Sequence, residues 1–208
     1  MNKVITISRQ YGSGGLEIGK RVAEELNIPF YDNEIITQAS KESGFAESVY
    51  KQAEDKATNS LLYSIAMGMS ATASFDGSYM GMSIDDRIFL TQSNVIRKVA
   101  KEGPCVIVGR CADYVLKDFP NVVNIFICAS LDYRIKRGIL EYGLSKAKAA
   151  DTILKYDKRR ANYYNYHSGE KWGNITNYHM SIRSDFSGIE HSAHCIAEFI
   201  KSAECQEE

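Results

Sequence analysis

The sequence predicts an α/β protein with a doubly wound, parallel, five-stranded sheet, and three observations carry that prediction. Two almost wholly apolar runs, Cys105-Val106-Ile107-Val108 and Val122-Val123-Asn124-Ile125-Phe126-Ile127-Cys128, read as strands covered on both faces. Segments of helical periodicity alternate with the strand-like runs, as a parallel sheet with crossover helices requires. The first strand, Val4-Ile5-Thr6-Ile7-Ser8, passes directly into Arg9-Gln10-Tyr11-Gly12-Ser13-Gly14-Gly15, a glycine-rich turn with a helix behind it.

Each element follows from its own pattern. Leu16, Ile18, Val22, Ala23 and Leu26 recur at helical spacing, and Asn27-Ile28-Pro29 ends that helix. Phe30-Tyr31-Asp32 is a short second strand with a carboxylate at its end. Asn33 is placed to cap the next helix, which runs to about Ser43 and stops at Gly44. Glu47 to Gly68 reads as mostly helical, and the small, Gly/Ser/Met-rich stretch from Met67 to Met82 as a flexible connection. Its four methionines suit either filling of a loose loop or an adaptable contact surface for a partner.

Ile84 to Lys101 is a helix with Asp85 and Asp86 at its positive end and Ile88, Phe89, Val95, Ile96 and Val99 on one face. Gly103-Pro104 ends it and leads into the third strand. After the fourth strand the chain is helical from Leu131, in two pieces broken near Tyr142-Gly143. The second piece begins at a Ser145 cap, runs to about Tyr166 and carries Lys146, Lys148, Lys155, Lys158, Arg159 and Arg160. Tyr178 to Arg183 alternates as a last strand, and Gly188 to Ile200 closes as a helix.

Composition narrows the function. The 208 residues suit a single domain, and 25 basic against 26 acidic side chains leave a net charge of −1. That balance argues against a nucleic-acid or membrane binder, and no apolar run approaches the roughly 20 residues of a membrane helix. Met1-Asn2-Lys3 enters a strand at once, so a cytoplasmic protein is expected. Five cysteines without a C-x-x-C pair read as free thiols in a reducing compartment.

The ligand site of a doubly wound sheet lies at the C-terminal ends of its strands. There the sequence collects the glycine loop, Asp32, Gly109-Arg110, and Arg134 with Arg137. Glycines let backbone N–H groups converge at a helix N-terminus, where the helix dipole also favours an anion. Arg134 and Arg137, three apart on one helical face, could grip phosphate oxygens as a fork or could be solvated surface arginines. The pattern G-x-x-x-x-G-K-[ST] would require lysine where Gly15 stands.

From Ile5 to Asp32 the chain resembles the opening of cytidylate kinases and other nucleoside monophosphate kinases, through strand, glycine loop, helix and the Pro-aromatic-x-Asp ending. Val106-Ile107-Val108-Gly109-Arg110 resembles that family's Gly-Arg strand, and Ala129 to Arg137 its entry to a mobile lid. Asp157 with Arg160 resembles its lid helix. Ser8-Arg9-Gln10-Tyr11-Gly12-Ser13-Gly14-Gly15, with Trp172-Gly173 and Tyr178, is similar to the branch called cytidylate kinase-like.

The resemblance implies a P-loop NTPase-type fold, with a helical acceptor-binding insertion at about residues 45–84 and a lid at about 138–177. It implies phosphoryl transfer from ATP, with Mg²⁺, to a nucleotide or related small acceptor. By that carry-over Arg9, Gly12, Ser13, Gly14, Gly15, Leu16 and Glu17 line the donor phosphates, and Arg134, Arg137 and Arg160 close over them. Arg110 and Asp32 face the acceptor. Gly15 in place of the loop lysine makes Arg9 the expected substitute cation, with Lys20 the other candidate. Glu17, at the position of the metal-binding hydroxyl, could hold Mg²⁺ or be a first-turn acid favoured by the helix dipole; Asp32 could contact metal or acceptor, or be a turn residue.

A nucleotide-binding regulatory protein without turnover is the alternative that the missing lysine suggests, and a homodimer is compatible with either. Tyr163, Tyr164, Tyr166 and Trp172 could stack on a base but suit packing of the lid helix better. His191, His194 and Cys195 have metal-like spacing, yet Ile189, Ala193, Ile196 and Ile200 place them on the solvated side of the last helix.

Overall fold

The computed structural model describes residues 2–56 and 82–204. The expected helix beyond Lys56 and the connection over 57–81 lie outside the described residues. Five parallel strands, β1 (Val4–Arg9), β2 (Phe30–Tyr31), β3 (Cys105–Val108), β4 (Val122–Cys128) and β5 (Met180–Arg183), form one sheet in the order β2-β3-β1-β4-β5. Ile7 pairs with Val108 on one side and Ile125 on the other, so the C-terminal ends of the three central strands share one rim.

The pleat divides each apolar run between two cores. Val4, Cys105 and Ile107 face α2 (Asn33–Ser43), α3 (Glu47–Lys56) and α4 (Ile84–Glu102), where Ile35, Ile36, Tyr50, Ile88 and Ile96 are buried. Ile5, Ile7, Val106, Val108, Ile125 and Ile127 face α1 (Gly15–Leu26) and α9 (Ile189–Glu204), meeting Ile18, Val22, Ala193, Ile196 and Ile200. Burial on both faces is why these strands read as continuous rather than alternating hydrophobics.

The remaining helices are α5 (Ala112–Val115), α6 (Leu131–Leu140), α7 (Ala149–Ser168) and α8 (Ser184–Ser187). Asn27 ends α1 and Gly44 ends α2 in left-handed conformations, as expected. The cap of α2 is Asp32 rather than Asn33, and its side chain does not cap. The expected Ser145 start of α7 is instead a turn, with the Lys148 N–H donating to the Ser145 carbonyl, and the helix begins four residues later. At α4 the cap is Ser83, whose hydroxyl oxygen accepts from the Asp86 N–H at 3.1 Å. Among the described residues no helix is long and apolar enough to cross a membrane.

Candidate phosphate-binding site

The loop between β1 and α1 is folded by its own polar groups. The Gln10 N–H donates to the Ile127 carbonyl at 3.0 Å, and the Gln10 side-chain carbonyl accepts from the Ala129 N–H at 3.1 Å. The Ser13 N–H and hydroxyl both donate to the Gln10 carbonyl. Gly12 and Gly14 have φ of 81° and 79°, and a Cβ at Gly12 would lie 2.9 Å from the Arg134 carbonyl oxygen. No side chain caps α1, and uncapped N–H groups at a helix N-terminus are donors that an anion can use.

Arg9 closes this loop from the β3 side. Its stem lies over Gly15, where a Cβ would come within 2.5 Å of the Arg9 Cβ and 2.9 Å of its Cγ. Its guanidinium lies against Gly109, where a Cβ would be 2.0 Å from Nη1. Gly109 therefore serves two needs: it adopts φ of 78° and admits the arginine head. Lys20, the other candidate cation, is exposed and sits 4.0 Å from Glu24.

At the same rim the Asp32 Oδ1 lies 3.8 Å from Arg9 and 3.9 Å from Arg110, and this buried oxygen accepts no hydrogen bond from the protein. Arg160, on α7, donates from Nη1 to the Arg9 carbonyl at 2.9 Å. Arg9, Arg110 and Arg160 thus converge on a cavity of about 160 Å³, with Ser8, Tyr163 and Trp172 also in its wall. Burial, and then the charge of Arg9, lowers Arg110 to about 10 and Arg160 to about 9; burial also lowers Arg9. Three crowded guanidiniums against one carboxylate make the cavity electropositive, which favours an anion.

The expected Arg134–Arg137 fork is divided. Arg134 is turned into the protein: Nε donates to the Ala129 carbonyl at 3.1 Å, and Nη1 donates to the Tyr11 carbonyl and to the Asp157 carboxylate. Arg137 instead meets Glu17, Nη2 to Oε2 at 3.0 Å, while the other Glu17 oxygen lies 3.4 Å from Arg21. With both oxygens engaged by guanidiniums, Glu17 does not fit a metal ligand in this arrangement. Asp32 fits better, because its buried Oδ1 has no hydrogen-bond donor. Leu16 is half exposed beside Glu17 and lines an open groove with Arg137, Asp32 and Tyr142.

Two contributors carried weak sequence signals. Ser184, buried at the start of α8, donates its hydroxyl to the Ser13 carbonyl at 2.6 Å, and nothing in its local pattern distinguishes it. Asp157 accepts the Tyr11 N–H at 2.7 Å; the resemblance paired it with Arg160 on one helix, but no local pattern pointed to its contact with the loop. The aromatic residues mostly pack. Tyr163 and Tyr164 are buried with Cys111, and Trp172 meets the Phe126 ring edge-on at 5.5 Å. His194 is exposed and pairs with Glu25 at 2.9 Å.

A parallel sheet of this order, with a glycine loop joining its central strand to the first helix, defines the P-loop kinase class of α/β folds. Within that class the chain belongs to the cytidylate kinase-like family, whose profile matches residues 4–185. It is similar to the crystal structure of an uncharacterized protein from Eubacterium ventriosum, with 28% identity over 97% of this chain and 99% of that one, at a TM-score of 0.70. A shikimate kinase from Bacteroides thetaiotaomicron (16% identity, 97% of this chain and 99% of that one, TM-score 0.56) shares the fold. So does a gluconokinase from Sinorhizobium meliloti (14% identity, 100% and 98%, TM-score 0.52). No curated protein matches the sequence.

Proposed function

We propose that the protein is an ATP-dependent phosphotransferase that moves a phosphoryl group to a nucleotide or related small polar acceptor. The observation that supports this is Arg9 lying across Gly15 and reaching the rim at Gly109, beside Arg110 and Arg160. A cation stands between the glycine loop and the adjoining cavity, although the loop has no lysine. Phosphoryl transfer asks mainly for positioning and charge neutralisation, which arginines supply.

In this reading the uncapped N–H groups of α1 and its loop hold the donor phosphates, and Arg9 spans donor and acceptor sides. Arg160 comes with the lid helix, and Arg110 faces the acceptor. Asp32 orients Arg9 and Arg110 and offers its free oxygen to a metal-held water or an acceptor hydroxyl. Mg²⁺, when bound, would supply further neutralisation of the donor phosphates. Arg9→Ala is expected to lower turnover at least 100-fold in a coupled assay over a panel of nucleotides and sugar acids. Unchanged ATP affinity and turnover would remove Arg9 from the reading.

A second reading, nucleotide binding without turnover, draws on Glu17 and Asp32, since both carboxylates expected to serve a metal face arginines. Calorimetric ATP binding with and without Mg²⁺, beside phosphoryl transfer to the same panel, separates the two. Binding with no transfer to any acceptor selects the second.

A further inference from the structure

We propose that Asp157 is a positioning residue that makes closure of the lid helix and the shape of the glycine loop a single event. Its effect on turnover rests on the phosphotransfer reading above, whereas the tie itself rests on contacts within the chain. The two oxygens of this one carboxylate have separate partners: Oδ1 accepts the Tyr11 N–H at 2.7 Å, and Oδ2 accepts from Arg134 Nη1 at 2.5 Å. Arg134 in turn donates to the Tyr11 carbonyl at 3.3 Å and the Ala129 carbonyl at 3.1 Å. Tyr11 is thereby gripped at its N–H by the lid and at its carbonyl by α6.

The neighbours of Asp157 on α7 make the same connection. Tyr156 stacks on the Tyr11 ring with centroids 4.5 Å apart and planes 11° from parallel. Arg160 donates to the Arg9 carbonyl at 2.9 Å, and its guanidinium lies 5.6 Å from the Tyr11 ring. Residues 156, 157 and 160 of one helix therefore meet residues 9 and 11 of one loop. The Arg134 and Asp157 side chains are only 6% and 13% exposed, so separating them strands a charge in a poorly hydrated place.

The lid cannot move away while the loop keeps this form. Withdrawing α7 takes the carboxylate from the Tyr11 N–H, leaves Arg134 without its counter-charge, and carries Arg160 out of the cavity together. Gly12, backed against the Arg134 carbonyl, transmits any shift of α6 to the glycines. A carboxylate fixed in this way holds the first part of the loop ready for phosphate before the ligand arrives, which is preorganisation of the site.

The test is amide hydrogen exchange of the full chain, beside steady-state kinetics with ATP and its best acceptor. Asp157→Asn keeps the size and removes the charge. Exchange at Tyr11 and along α7 is expected to rise at least tenfold with the sheet amides unchanged, kcat to fall at least tenfold with the KM for ATP moving less than threefold, and Asp157→Glu to recover part of both. Unchanged exchange at Tyr11 and α7 would overturn the proposal, and so would a rise spread equally over the sheet, which marks a merely structural residue. Should Asp157→Asn fail to fold, Arg134→Lys, which keeps the charge but loses the fork, is read by the same criteria. A wild-type chain that transfers phosphoryl to no acceptor would defeat the phosphotransfer reading, and the exchange result would still decide the role of Asp157.

Discussion

No side chain can leave the backbone at position 15 while the stem of Arg9 lies over it. The missing lysine and the arginine six residues earlier are therefore one arrangement, in which the bulk and the charge have moved together. Gly15→Ala is expected to cost about 1–3 kcal/mol in denaturant unfolding, and less in an Arg9→Gly background, which removes both the Cβ and the Cγ that the new methyl would meet. Equal costs in the two backgrounds would contradict the packing. A second residue sets a pH dependence. Burial raises buried Asp113 to about 6, against an ordinary value near 4. A raised folded-state pKa gives stability that is complete below about pH 4 and lost as pH climbs through about 6. Wild type should therefore lose on the order of 2 kcal/mol relative to Asp113→Asn between pH 4 and pH 7, measured by urea unfolding at each pH.

At the scale of elements, α7 does two jobs with two halves of one face. Tyr156, Asp157 and Arg160 meet the glycine loop, whereas Tyr163, Tyr164 and His167 pack on the body. His167 stacks on Phe89 with centroids 4.0 Å apart, and Tyr163 donates to the buried Gln92 side-chain oxygen at 3.0 Å. This half ties the end of α7 to α4. Tyr163→Phe removes that donor from a buried oxygen and is expected to cost about 1–2 kcal/mol by thermal unfolding. Exchange along α7 should rise with it, and a protein as stable as wild type would show that the hydrogen bond adds nothing. The periodicity of α7 was legible, but its start was not. Ser145 is a good cap by type, yet its carbonyl closes a turn with Lys148, and the backbone enters the helix only at Ala149.

For the molecule as a whole, the sheet is held between two apolar layers, and the layer of α1 and α9 also sets the site. Ile196 is fully buried between β-strand residues and α1, and Ile189 from the same helix abuts the Gly14 position. Ile196→Ala should cost about 2–4 kcal/mol, with circular dichroism and tryptophan fluorescence reporting the same midpoint. Separate midpoints would show that the α9 layer unfolds independently. Elements far apart in the chain feed the glycine loop, so its geometry belongs to the whole fold: Ser184 reaches it from the start of α8, Arg134 from α6 and Asp157 from α7.

The sequence by itself determined the buried strands, the parallel sheet and the glycine loop ahead of the first helix. Apolar runs such as Val106–Val108 can be satisfied only when covered on both faces, and a glycine loop before a helix presents N–H donors whatever surrounds it. Which arginine does what was decided by the tertiary structure. Arg134 and Arg137 look equivalent at helical spacing, but Asp157, 23 residues after Arg134, pulls one inward, and Glu17, 120 residues before Arg137, holds the other at the surface. Charge pairing depends on distances between elements that no local pattern records. Arg9 reaches the rim because folding set two positions without a Cβ against it, Gly15 at its stem and Gly109 at its head.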